Sequence, residues 1–151
     1  MTGYPYQECG LDNVIIEGVN FLVDDKGEET IAIPNINGLH RAIATGIVAK
    51  KSSLTGRELR FLRTEMGLTQ AELAHTVHRE PLSISRWERG EVAEIDPNAE
   101  ALIRLLAKEA LDLEVEATVR EITGWSVPSA LTPPLVIDGS DTDNYRLKPA
   151  A

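Results

Sequence analysis

Two copies of one helix-start signature, set close together, constrain this chain more than anything else in it. Leu54-Thr55-Gly56-Arg57-Glu58-Leu59 and Leu68-Thr69-Gln70-Ala71-Glu72-Leu73 each place a threonine at an N-cap and a glutamate three residues on. The pair closes a capping box, and the flanking leucines form a hydrophobic staple. Two helix beginnings are therefore expected, at Thr55 and Thr69. Leu59, Leu62 and Met66 recur at helical spacing between them, and Gly67 supplies a left-handed stop for the first helix.

The second helix is short, with Leu73, Ala74 and Val77 as its apolar set. Ala74 is small where a following helix has to cross closely. A third helix is expected from Pro81, whose fixed φ and missing N–H suit a first helical position, to a stop at Gly90. Helical phase buries Ile84 and Trp87 and leaves Leu82, Ser83, Ser85, Arg86 and Arg89 outward. A face that is small, polar and basic is what base reading in a major groove requires: donors that reach base edges without bulk that holds the helix away.

The run from Gly67 to Ala74 (GLTQAELA), followed by Ile84 to Gly90 (ISRWERG), resembles the phage-repressor-like (XRE-type) helix-turn-helix family. The likeness covers about a third to two-fifths of the chain and implies a compact all-α domain of five helices. It implies phosphate or outer-base contact for Gln70 at a helix N-terminus beginning at Thr69, a central base-reading role for Arg86, and base or thymine-methyl contact for Leu82 and Ser83. Arg63 and Glu88 match a pair that bridges the first and third helices in relatives, and we read it as scaffold. His78 and Arg79 stand where the family carries glycine and an apolar residue, so a longer or differently shaped turn is expected there.

Net charge argues against a DNA binder until it is divided along the chain. The total is −9, but residues 1–40 hold one cation and seven anions, residues 41–90 nine and five, and residues 91–151 five and twelve. The basic charge is confined to the helix-turn-helix, as an electrostatic footprint on DNA requires. Phosphate contact is expected for Arg79 and Arg89, while for Arg57 and Arg60 it stands level with a solvated face.

Residues 13–33 hold three short β-branched bursts, around Val14-Ile15-Ile16, Val19 to Val23 and Thr30 to Ile33, separated by turn signals and stopped by Pro34. They predict a three-stranded meander covered by a helix from Ile36 to Lys50, with Leu39, Ile43 and Ile47 as its apolar stripe. The fold class expected is thus α+β, with a meander-plus-helix domain over 1–51, a helix-turn-helix domain with C-terminal helices over 52–124, and a mostly irregular acidic tail over 125–151. Within the second domain a helix from Pro97 to about Leu111 would bury Ala101, Leu102, Leu105, Leu106 and Ala110, and Asp112 would cap a further helix through Thr123. Apolar surface left on one of these last helices suits a homodimer contact. In the tail, Leu135-Val136-Ile137 could add a strand to the meander.

The first part, with Tyr4, Tyr6, Cys9-Gly10, a hairpin, Ile33-Pro34-Asn35-Ile36 and Leu39-His40 feeding a helix into the helix-turn-helix, is similar to bacterial regulators grouped with MqsA-type antitoxins. That group holds zinc there through two cysteine pairs. Cys9 is the one cysteine in this chain, so the zinc site does not carry over. The resemblance still implies a possible toxin protein as partner, for which the acidic N-terminal segment is suited.

No metal site or cofactor is expected. His75 and His78 fall at a helix end and its turn, and neither they nor His40 have zinc-ligand spacing; Asp138, Asp141 and Asp143 lack the calcium-loop order. Ser83 and Ser85 have no histidine and carboxylate arranged around them, so catalysis is not expected. Trp87 is read as core and Trp125 as a lid past a helix end. With neither a signal peptide nor a membrane-spanning run, a soluble cytoplasmic protein is expected. The function expected is a homodimeric transcriptional regulator on a double-stranded DNA operator. The alternative is an antitoxin that neutralises a ribonuclease and represses its own operon.

Overall fold

The computed structural model describes residues 3–19, 21–23, 25–31, 33–92, 94–126 and 134–148. Its elements in chain order are β1 (Tyr4–Pro5), β2 (Val14–Glu17), β3 (Phe21–Val23), β4 (Glu29–Ile31), α1 (Ile36–Val48), α2 (Gly56–Glu65), α3 (Gln70–Thr76), α4 (Pro81–Glu88), α5 (Pro97–Ala110), α6 (Val119–Trp125), β5 (Leu135–Asp138) and β6 (Arg146–Lys148). The chain is mixed α+β. Its contacts cluster into two units, Met1–Ile43 with Pro133–Ala151, and Ala44–Thr132. Among the described residues no helix is long and apolar enough to cross a membrane.

The first unit corrects the expected meander. β3 and β4 pair as a hairpin, Phe21 opposite Ile31, with Gly27 at φ +80 in the turn. β2 does not join them. It sits inside a four-stranded sheet of order β1-β2-β5-β6, antiparallel to β1 and parallel to β5, with Val14 opposite Leu135 and Ile16 opposite Ile137. A parallel partner has to arrive by a long crossover, which turn-by-turn reading of a sequence cannot see. The 125–151 stretch is correspondingly more than a tail, since 135–138 and 146–148 are strands of that sheet. Gly139 turns the chain at the end of β5: its N–H donates to the Glu17 carbonyl at 2.6 Å, and a Cβ there would lie 2.5 Å from the Ile16 side chain.

Val14, Ile16, Leu39, Ile43 and Ile137 are buried in this unit, with Tyr6 and Tyr145. Both tyrosines keep a polar partner, as buried phenols do. The Tyr6 hydroxyl lies 3.0 Å from His40 Nε2, and the Tyr145 hydroxyl donates to the Pro34 carbonyl at 2.6 Å.

The second unit holds the end of α1 and the helices α2 to α6. Four of those helices end alike. In α2, α3, α4 and α5 the left-handed residue after the C-cap is Gly67, His78, Gly90 and Asp112, and the next residue's N–H reaches back to Arg63, Ala74, Arg86 and Lys108 respectively. Each is a Schellman stop, so all four connections leave their helix through the local geometry that Gly67 and Gly90 announce. At His78 the imidazole takes up the left-handed region, φ +58, that more often falls to glycine. At Asp112 the expected helix start is corrected: φ of +50 makes this residue the stop of α5. The next helix begins later, at a third capping box on Thr118 and Glu121.

The buried face of α5 also differs from the apolar stripe. Ala99, Glu100, Ala101, Ile103, Arg104 and Ala107 are buried, whereas Leu102 is 48% exposed, Leu105 and Leu106 are half-buried and Ala110 is exposed. Hydrophobic phasing fails there because the helix buries an ion pair, Glu100 with Arg104, 3.0 Å apart. Arg104 Nη1 donates to the carbonyls of Val48 at 3.3 Å and Lys50 at 2.5 Å, and Nη2 donates to that of Ser52. Glu100 accepts the Leu54 N–H at 2.9 Å, and Lys50 Nζ pairs with buried Glu58 at 2.7 Å. These four charged side chains clamp the link between α1 and α2 onto α5, each with an opposite charge and most of the polar atoms bonded.

Candidate nucleic-acid interface

Both expected capping boxes form. Thr55 Oγ1 accepts the Glu58 N–H at 3.1 Å while Glu58 Oε1 accepts the Thr55 N–H at 2.9 Å. At the second start the two reciprocal bonds, between Thr69 and Glu72, are both 3.0 Å. The backbone and side-chain bonds from Thr69 hold the Glu72 carboxyl below its ordinary 4.5. Thr69, expected at the DNA, thus spends its side chain on the cap, its oxygen accepting the Glu72 N–H and its hydroxyl bonded to the Glu72 carboxylate.

α3 packs against α4, and α2 packs against α4. On α4 the side chains of Ile84, Trp87 and Glu88 are buried, with Trp87 8% exposed. Leu82 is 53% exposed, Arg86 and Arg89 are exposed, and Ser83 and Ser85 are half-buried on the flank of the same face. The Arg86 side chain forms no hydrogen bond or ion pair with any described residue. It carries an unspent guanidinium, five donors in a planar fork suited to a guanine edge or a phosphate.

The Arg63–Glu88 scaffold is bidentate. Arg63 Nε and Nη2 donate to Glu88 Oε2 and Oε1 at 2.6 and 2.9 Å, and Nη1 donates to the Leu68 carbonyl at 2.9 Å. One guanidinium therefore ties α2, the α2–α3 turn and the C-terminal end of α4 together. The paired carboxylate raises the Arg63 pKa further, so the guanidinium stays charged at any working pH.

Gln70 joins that network. Its Nε2 donates to Glu88 Oε1 at 3.1 Å, so in this structure the amide is directed at the scaffold, where the sequence pointed it at a phosphate or base.

Two of the arginines expected at phosphate have partners within the protein. Arg79 Nη2 donates to Asp96 Oδ2 at 2.5 Å, with its Cζ 5.9 Å from the Trp87 ring centroid. Arg89 pairs with Glu91 at 3.2 Å, both about half exposed, a contact that a phosphate can displace at little cost. Arg57 and Arg60 are exposed on α2 and their side chains form no bond with any described residue.

Sequence reasoning missed Gly56 and Asp96. Gly56 opens α2 directly beneath the end of α4, where a Cβ would stand 2.2 Å from the Trp87 carbonyl oxygen. A glycine with no turn to make, inside a capping box, was the available signal. Asp96 caps α5, accepting the Ala99 N–H at 3.1 Å, and its pairing with Arg79 needs the tertiary structure.

Elsewhere the polar clusters serve local structure. Asp138 Oδ1 accepts the Ser140 N–H at 3.0 Å and its hydroxyl at 2.7 Å, and Asp141 accepts the Asp143 N–H at 3.1 Å, as turn-forming aspartates do. Cys9 Sγ lies 3.9 Å from the Tyr6 carbonyl. Among the described residues no group of three or more His, Cys, Asp or Glu side chains is placed to hold a metal ion. Trp125 is half-buried at the end of α6. The chain matches no protein-family model, no curated protein and no solved structure.

Proposed function

We propose that this chain is a sequence-specific reader of double-stranded DNA, a transcriptional regulator that places α4 in the major groove. On this reading α2 to α6 form an XRE-type five-helix domain. The observation that carries the proposal is the division of α4 into a buried side, Ile84, Trp87 and Glu88, and an exposed side with Arg86, which has no partner among the described residues. A helix presented in that way can enter a groove about 12 Å wide without disturbing its own core. The Arg63–Glu88–Gln70 network supports the reading, because base recognition needs a helix held rigidly in orientation. The regulator acts as a homodimer on a two-fold operator, with exposed Leu102 of α5 and Val119 of α6 as candidate contact residues.

Selection of bound sequences from a random duplex pool tests this directly. A two-fold motif is expected. Arg86→Ala should cost about 1–3 kcal/mol and relax preference at one base pair, whereas Arg89→Ala should weaken all sequences alike. Recovery of no enriched motif by the parent protein would refute the proposal.

An antitoxin role is the second reading, favoured by a first unit that forms its own compact body and carries most of the N-terminal acidic charge. Under it, native expression recovers the chain with a small basic protein, and the complex is lost when acidic residues of the first unit are neutralised.

A further inference from the structure

Arg79 lies where three elements of the second unit meet. It follows the left-handed stop of α3, with its N–H donating to the Ala74 carbonyl at 2.8 Å. Its guanidinium faces the indole of Trp87, the residue that anchors α4, and reaches Asp96 at the start of α5. Asp96 Oδ2 is shared, since the oxygen that accepts Arg79 Nη2 also accepts the Ala99 N–H and so caps α5.

Resting on the DNA-reading role of α4, we propose that Arg79 is a positioning residue for that helix and not a phosphate contact: Asp96 holds its guanidinium against Trp87, which fixes the orientation in which α4 meets the groove. To reach a phosphate, Arg79 would give up both the ion pair and the ring contact. It would also leave the Asp96 carboxylate unpaired close to the DNA, where it repels the backbone. Arg86 and Arg89 face no such penalty: the first has no partner among the described residues and the second only an exposed glutamate.

Two substitutions separate the roles, because they predict opposite signs. Asparagine caps a helix as well as aspartate does, so Asp96→Asn keeps the start of α5 and removes only the charge that holds Arg79. For a positioning residue, Asp96→Asn and Arg79→Gln each lower the preference for the selected duplex over a scrambled one, by about fivefold, and the double variant is no worse than either single one. The dependence of log K on log salt is then the same for Arg79→Gln as for the parent. Arg79→Lys fails as Arg79→Gln does, since a compact lysine ammonium cannot both reach Asp96 and place a planar cation beside the ring.

For a phosphate contact, Asp96→Asn tightens binding to every duplex, Arg79→Gln lowers the salt slope by about 0.9, and Arg79→Lys rescues it. That set of results would overturn the proposal. A second readout needs no DNA. In a Trp125→Phe background the only indole is Trp87, and both Arg79→Gln and Asp96→Asn should shift its emission and its near-ultraviolet circular dichroism. Unchanged spectra refute the positioning role even if the parent selects no DNA sequence, which would be the failure of the DNA-reading role itself.

Discussion

Gly56→Ala sets local preference directly against packing. Gly56 is the first residue of α2 and is not among the residues with positive φ, so alanine can adopt its backbone conformation. At such a site the exchange normally stabilises by about 0.4–1 kcal/mol, through the unfolded chain. Here the added Cβ would stand 2.2 Å from the Trp87 carbonyl oxygen and 2.8 Å from that of Glu88. Both are backbone atoms at the end of α4 and cannot rotate aside, so the two helices must separate by roughly 1 Å to restore an ordinary contact. Overpacking of this kind costs about 1–3 kcal/mol, which exceeds the local gain and leaves a net loss of about 1–2 kcal/mol. The shift also moves Glu88 away from Arg63, so selective DNA binding should fall with stability. Urea unfolding followed by circular dichroism measures the first effect and duplex binding the second. Gly124→Ala is the control: that glycine lies within α6, nothing stands within 4 Å of its Cβ position, and the exchange should stabilise by about 0.5–1 kcal/mol. If Gly56→Ala also proves as stable as the parent, the close seating of α4 on α2 is wrong.

His78→Gly should raise stability by about 0.5–1 kcal/mol, seen as a higher Tm, because an exposed imidazole holds a left-handed conformation, φ +58, that glycine adopts without strain; a lower Tm would contradict the Schellman geometry of the α3 stop. Arg104→Met removes every bond that its guanidinium makes to Val48, Lys50, Ser52 and Glu100 in a fully buried site, and should cost about 3–5 kcal/mol in urea unfolding; a loss below about 1 kcal/mol would show that the link between α1 and α2 does not depend on the clamp. Burial pushes the Glu100 carboxyl above its ordinary 4.5, so its contribution to stability is fully present below pH 4.5 and is lost as pH rises through the folded value. Glu100→Gln, which cannot ionise, should therefore gain stability relative to the parent between pH 4 and pH 7, and a relative loss over that range would reverse the assigned direction.

Much of the second unit could be read from residues that act on their own neighbours. A threonine three residues before a glutamate closes its box within one turn, and Gly67 and Gly90 stop their helices without outside help, so the bounds of α2, α3 and α4 follow from local chemistry. The inward side of α4 was legible for the same reason, since Ile84 and Trp87 share a helical phase. Local signals also misled. Asp112 looks like a cap and is a stop, because aspartate serves both purposes and only the Leu113 N–H reaching back to Lys108 distinguishes them.

What the tertiary structure alone decided is pairing between distant residues. β2 takes β5 as its parallel neighbour across most of the chain, although a turn and a β-branched burst stand close behind it. The face of α5 is set by Glu100 and Arg104, whose burial is tolerable only because Leu54 and the carbonyls of residues 48, 50 and 52 arrive from elsewhere. Arg79 meets Asp96 and Trp87 in the same way, and no period or composition marks them as partners. A cap spends hydrogen bonds on atoms a few residues away, so the sequence suffices to predict it. A buried charge is stable only with counter-charges and carbonyls brought from far along the chain, and those become neighbours only once the fold has formed.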